Sequence, residues 1–199
     1  MSSPRPTVVV TGVGATTPLG GTAEETWQAL LAGRPGARAL DASWVEEFEL
    51  PVSFAAQLTT PVSEVLKKVE TKRLDPFAQY ALVAAREAWQ DAGAPEVEPE
   101  RLGVAVGSGI GGVQTLITAW DTLNEKGSRR VYPLSIPMLM PNSASGTVSL
   151  AAGNPADLSL ELAGLRYTDG VFISTTVDGR LRARARRRPP VGAVPAGLA

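Results

Sequence analysis

No cysteine and no histidine occur anywhere in this chain of 199 residues. The missing cysteine excludes disulfides, thiolate metal sites and redox motifs. The missing histidine removes the commonest metal ligand and the side chain that titrates near neutral pH. Together they exclude nucleophilic catalysis by a Cys–His pair, which needs a thiolate and an imidazole. Aromatic residues are sparse, at 6%. The apolar runs are far shorter than the ~20 residues a membrane helix needs. The opening MSSPRPTVVVTG has no long apolar stretch after its basic residue, so it does not read as a signal peptide. Neither G-x-S-x-G, S-x-x-K nor G-x-x-x-x-G-K-S/T occurs. A cytoplasmic protein with no metal, no cofactor and no membrane partner is the expectation.

What is present suits one globular domain, or one and a fraction. Hydrophobic residues make up 44% and charged residues 20%, with mean hydropathy +0.03, enough to bury a sizeable core. The net charge of −1 is unevenly placed. Residues 153–199 hold seven arginines against four acidic residues, a surplus of three that leaves −4 for residues 1–152.

Val8–Val10, bounded by Pro6 and Gly12, reads as a short buried strand entering a glycine turn. Thr22 with Glu25 three residues on forms a capping box for a helix over Ala23–Leu31, ended by Gly33. A short strand is expected around Pro51–Ala56 and an amphipathic turn over Val62–Val69. Asp75 followed by Pro76 is a strong helix start. The helix Pro76–Ala92 carries Phe77, Tyr80, Ala81, Ala84, Ala85, Ala88 and Trp89 at helical spacing. Leu102–Val106 reads as a buried strand. The helix Val113–Leu123 follows, with Leu116, Ile117, Trp120 and Leu123 as its apolar stripe. Trp27, Trp89 and Trp120 are all expected in the core. Lys126–Arg130 is a basic turn, Tyr132–Met140 an irregular apolar segment and Ser143–Ala152 a helix of small residues. This order fits a layered α/β domain better than a helix bundle.

After Gly153 the character changes. A helix is expected over Asn154–Leu165 and a strand over Gly170–Thr176. Six arginines then crowd Arg180–Arg188, and Pro189–Ala199 is rich in Pro, Gly and Ala. A solvated, disordered tail is the expectation. It could neutralise phosphates, but it has no interleaved aromatics for stacking on bases, so nucleic acid is not its expected partner.

The segment Gly107-Ser108-Gly109-Ile110-Gly111-Gly112 matches G-x-G-x-x-G between a strand and a helix, the setting of a dinucleotide fingerprint. The same glycines serve a tight turn and close packing equally well. The pattern also sits at the second strand instead of the first, so nucleotide binding is a weak inference. Lys67, Lys68, Lys72 and Arg73 form one basic patch; Arg129 and Arg130 form another. On composition alone both are solvated surface, with docking of an acidic partner as the alternative.

Several stretches, in this order and spacing, resemble the N-terminal half of the β-ketoacyl-acyl carrier protein synthases, type II elongating enzymes of bacterial fatty-acid synthesis. They are VVVTGVGATTPLG at Val8–Gly20, TWQALLAG at Thr26–Gly33, KRLDPFAQY at Lys72–Tyr80, AAREAWQDAG at Ala84–Gly93, VAVGSGIGG at Val104–Gly112 and GSRRVYPLSIP at Gly127–Pro137. The resemblance covers about residues 6–152. It implies a partial, N-terminal-half thiolase-like fold, with residues 1–152 as the incomplete ketosynthase domain and 153–199 as a divergent segment. It implies an acyltransferase by descent, whose family reaction is the decarboxylative condensation of acyl- and malonyl-carrier protein. It also implies homodimers or a ketosynthase partner subunit.

By the same resemblance Ile110, Leu134 and Ser135 match acyl-pocket positions. Lys72, Arg73, Arg129 and Arg130 match positions that contact the acidic acyl carrier protein. No catalytic residue carries over. An ungapped count puts the family's nucleophilic cysteine near Leu165, and its two histidines lie in a second half with no counterpart here. The expectation is a truncated, frame-shifted or spliced ketosynthase, inactive in condensation. The alternatives are a carrier- or subunit-docking module, or a non-catalytic partner like the chain-length factors. An uncovered apolar face is expected as well, since a thiolase-type half buries one face against its other half.

Overall fold

A computed structural model describes residues 8–40, 42–98 and 101–152, and the backbone of two later strands. In chain order the elements are α1 (Ala23–Leu31), β1 (Arg38–Ala39), α2 (Ser43–Glu47), β2 (Phe54–Ala55), α3 (Val62–Val65), α4 (Lys68–Thr71), α5 (Pro76–Asp91), β3 (Leu102–Ser108), α6 (Val113–Lys126), α7 (Ser135–Leu139), α8 (Ser143–Ala151), β4 (Ser159–Ala163) and β5 (Val171–Thr175). The sequence features at Leu165, Arg180–Arg188 and Pro189–Ala199 lie outside the described residues.

β3 is the centre of a three-stranded sheet. It runs parallel to β4, with Val104 opposite Ser159, and antiparallel to β5, with Val104 opposite Ile173. β5 falls where a strand was expected. β4 does not, because Asn154–Leu165 reads as a helix from its ends. Its centre, Ser159-Leu160-Glu161-Leu162-Ala163, alternates polar or small with leucine, the period of a strand. Both strands come from beyond Gly153, so the sheet crosses the point where the composition changes.

Leu102, Val104 and Val106 alternate into the core from β3. There Val104 and Val106 meet Ala78, Ala81 and Ala85 of α5 and Ala144 and Val148 of α8, with Leu74 and Phe77 at the margin. Small residues dominate, so the helices approach the strand closely. Leu66, Leu82 and Val83 form a second cluster where α3 meets α5. One hydroxyl in this packing is idle: Ser149 of α8 is fully buried, and its Oγ has no partner among the described residues. Replacing a buried, unsatisfied hydroxyl with a methyl removes a desolvation cost. Ser149→Ala is therefore expected to stabilise the fold by about 1 kcal/mol, raising the thermal midpoint by about 2–4 °C. A lowered midpoint would mean that the hydroxyl is in use.

Val8–Val10 is not a strand. All three valines are exposed, because β4 and β5 occupy both edges of β3 and leave no ladder to join. The segment is instead fastened to α5. Val13 N–H donates to Asp91 Oδ2 (2.8 Å) and Ala15 N–H to Glu87 Oε2 (2.7 Å). Gly12 and Gly14 make that approach feasible, since a Cβ at either would strike the α5 backbone at Ala88 or Ala84. Glu87 Oε1 also accepts from Ala23 N–H (2.8 Å), so one carboxylate ties the glycine turn and α1 to α5. α1 begins at the expected place, with Thr22 Oγ1 accepting from Glu25 N–H. The return bond differs from the expected box: Glu25 Oε2 accepts from Gly21 N–H, not from Thr22.

The tryptophans are the other departure. Trp27 and Trp120 are exposed and Trp89 is half-buried, so none of them is core. α6 has no buried residue at all, and its stripe of Leu116, Ile117, Trp120 and Leu123 faces outward. The periodicity identified the helix correctly, but no element among the described residues covers that face. Among the described residues no helix is long and apolar enough to cross a membrane.

Candidate functional site

The turn that carries Lys72 and Arg73 is built from below. Glu70 accepts from the backbone N–H of Lys67 (2.9 Å) and pairs with Arg86 of α5, which fixes α4. Those contacts, Arg86 first, hold the Glu70 carboxyl below its usual value. The contribution of this pair is therefore present above the ordinary carboxylate range and is lost as pH falls through the lowered value. Buried Gln79 donates from Nε2 to Thr71 O (3.1 Å) and Leu74 O (2.7 Å), clamping the turn on α5. Lys72 and Arg73 are exposed on it.

Asp75 follows at 3% exposure and serves two helices. Its Oδ1 accepts from Phe77 N–H (3.3 Å), capping α5. Its Oδ2 accepts from both Thr115 N–H (2.8 Å) and Thr115 Oγ1–H (2.7 Å), in the first turn of α6. Gly112 stands at the N-cap of α6 and has no side chain to cap with, so a carboxylate from another element does it. Burial, and after it the Asp75 charge, pushes the Tyr80 phenol up.

The glycine turn between β3 and α6 is closed by its own serine and by α7. Ser108 Oγ accepts from Gly111 N–H (3.0 Å), and Gly112 N–H donates to Leu139 O (3.0 Å). Gly111 adopts φ +76°, and a Cβ at Gly112 would sit 2.6 Å from Met138 O and 3.1 Å from Asp75 Cγ. The dinucleotide reading fails on this geometry. Two of the amides that would cradle phosphate are spent internally, and an anion, the Asp75 carboxylate, already occupies the start of α6.

Ile110 projects from the open side of the turn, 70% exposed. Gly111 and Gly112 press on the C-terminal end of α7. Leu134 and Ser135 stand at its other end, Leu134 partly exposed and Ser135 buried with its Oγ donating to Tyr132 O (2.7 Å). Ile110, Leu134 and Ser135, the residues expected at an acyl pocket, therefore frame one short helix from both ends. Arg129 and Arg130 lie exposed in a 3-10 turn, Ser128–Arg130, beyond the C-terminus of α6. The two basic pairs are not adjacent: the 14 residues of α6, about 21 Å of helix, stand between their ends.

The model of the family described as "Beta-ketoacyl synthase, N-terminal domain" matches residues 5–155. The chain belongs to the β-ketoacyl synthase family. Over 145 residues it is 39% identical to 3-oxoacyl-acyl-carrier-protein synthase 2 of Mycobacterium leprae (strain TN), covering 73% of this chain and 34% of that protein. Over 149 residues it is 41% identical to the Staphylococcus aureus (strain COL) protein of the same name, covering 73% of this chain and 36% of that one. A crystal structure of a β-ketoacyl synthase from Burkholderia phymatum STM815 superposes with TM-score 0.61 at 29% identity, covering 77% of this chain and 38% of that one. The chain thus spans about a third of the length of the curated relatives it matches, and its described part is a partial thiolase-like layered α/β fold.

Sequence reasoning identified Asp75 as the cap of α5, but its second partner, Thr115, stands 40 residues away and leaves no local signal. Gln79 and Glu87 were missed for the same reason: each is a polar residue within a helix whose partners are backbone groups of other segments.

Proposed function

We propose that residues 1–152 form the N-terminal unit of a ketosynthase of fatty-acid synthesis, which docks acyl carrier protein and contributes part of an acyl pocket but performs no condensation alone. The observation that carries this is the family match over residues 5–155 in a chain with neither cysteine nor histidine. Lys72 and Arg73 support the docking reading, being exposed on a turn held by buried Gln79 and Asp75, so their charge is presented in fixed geometry. The relatives are named as carrier-protein enzymes, and the same partner class is assigned here by that kinship. The framing of α7 by Ile110, Leu134 and Ser135 supports the pocket reading. The uncovered α6 face supports pairing with a second copy or with another ketosynthase subunit.

Docking is tested by charge reversal. Arg129→Glu with Arg130→Glu is expected to weaken carrier-protein binding on the order of tenfold or more at about 0.15 M ionic strength. Deleting residues 180–199 is expected to change it less than about twofold, because the crowded arginines there match no family docking position and supply only salt-screened attraction. If the deletion abolishes binding and the double reversal leaves it intact, the docking assignment is wrong.

A further inference from the structure

We infer that Asp75 is a positioning residue that couples the basic turn at Lys72–Arg73 to the glycine turn bearing Ile110, so that a partner seated on the first alters the second. The inference rests on the docking and pocket roles proposed above for those residues. The link itself rests on geometry alone.

Asp75 lies two residues after Arg73 in the same turn. That turn cannot move independently of it, because Gln79 ties Thr71 O and Leu74 O to α5 beside the Asp75 cap. On the other side, Oδ2 holds both the N–H and the hydroxyl of Thr115, three residues past the last glycine of the turn. Gly112 leaves no space against the carboxylate, since even a methyl there would crowd Asp75 Cγ. The far side of the turn is braced by Leu139 O. A shift of the Lys72–Asp75 backbone therefore either drags the start of α6, and with it the Gly109–Gly112 turn, or breaks the bonds to Thr115. A buried carboxylate at the amino ends of two helices resists breaking, because it satisfies otherwise orphaned N–H groups at both. Ile110, at the unbraced tip, is where such motion appears, for Gly109 has open space around it. The exposed basic turn and the exposed tip at Ile110 are thus joined through one buried carboxylate.

Two substitutions separate coupling from simple support. Thr115→Val keeps the shape and the N–H bond but removes the hydroxyl donor. Asp75→Asn keeps one acceptor oxygen, enough to cap α5 or α6 but not both. Backbone amide exchange in the full chain is the readout. Either variant is expected to speed exchange in Gly109–Thr115 and in Lys72–Leu74 together, each roughly tenfold, the scale of one lost charge-assisted hydrogen bond. Exchange in α1, which Glu87 secures, should remain unchanged. Faster exchange in the glycine turn with Lys72–Leu74 unaffected would overturn the coupling, as would equal acceleration throughout the chain. Adding acyl carrier protein to the wild type should protect both turns. If it protects neither, the docking reading fails while the result from the two variants still decides the coupling. If it protects only Lys72–Leu74, the coupling fails and the docking stands.

Discussion

Incubated with acyl- and malonyl-carrier protein, the 199-residue chain is expected to yield no β-ketoacyl product above an enzyme-free control. The family reaction passes the acyl group to a thiolate and uses imidazoles while the new carbon–carbon bond forms; this chain offers neither group. A serine hydroxyl is not a substitute without a neighbouring base to activate it, and the serines around the glycine turn, α7 and α8 are held in other roles. Ser108 and Ser135 are already engaged by Gly111 N–H and Tyr132 O, and Ser149 is sealed in the core. Loss of a catalytic nucleophile costs on the order of a millionfold in rate, so the expected product is effectively none. Mass spectrometry of the reaction mixture checks this. A thiol-reactive inhibitor should change nothing, and turnover that survives rigorous repurification would contradict the account.

The second large effect concerns the uncovered face of α6. Leu116, Ile117 and Trp120 are 54%, 56% and 63% exposed on one side of the helix. Apolar surface of that extent on neighbouring turns favours association. Burying the exposed part of each such side chain contributes on the order of 1 kcal/mol, so three together contribute about 3 kcal/mol, on the order of a hundredfold in a self-association constant. The wild-type chain is therefore expected to self-associate. Leu116→Gln, Ile117→Gln and Trp120→Gln combined are expected to leave a monomer at concentrations where the wild type is associated. Sedimentation velocity at several concentrations checks both. A wild-type chain that stays monomeric throughout would show that this face is not sticky.

The same helix illustrates what was legible in the sequence. Its 3.6-residue period located α6 and named its apolar stripe, as caps and alanine spacing located α1 and α5 and alternation located β3. Period reports that one face is apolar; it does not report whether anything covers it. The tryptophans were assigned to the core on that missing step, and Trp27 and Trp120 are exposed. Val8–Val10 failed for a related reason. β-branched residues suit a strand, yet a strand exists only where an edge is open, and β4 and β5 had taken both edges of β3. In the site, exposed Lys72, Arg73, Arg129 and Arg130 were legible as charge. What holds Lys72 and Arg73 in place was not. Asp75 to Thr115 and Glu87 to Ala15 and Ala23 are long-range bonds from a carboxylate to backbone or hydroxyl groups, and residue type and spacing do not encode them.

We propose that this chain recognises a carrier protein without carrying out its chemistry. Calorimetric titration of acyl-loaded carrier protein into the chain, at about 0.05 M and about 0.15 M ionic strength, tests it most directly. The predicted result is saturable binding that weakens at the higher salt, with the acyl thioester recovered intact. Absence of binding at both salts, or consumption of the thioester, would contradict it.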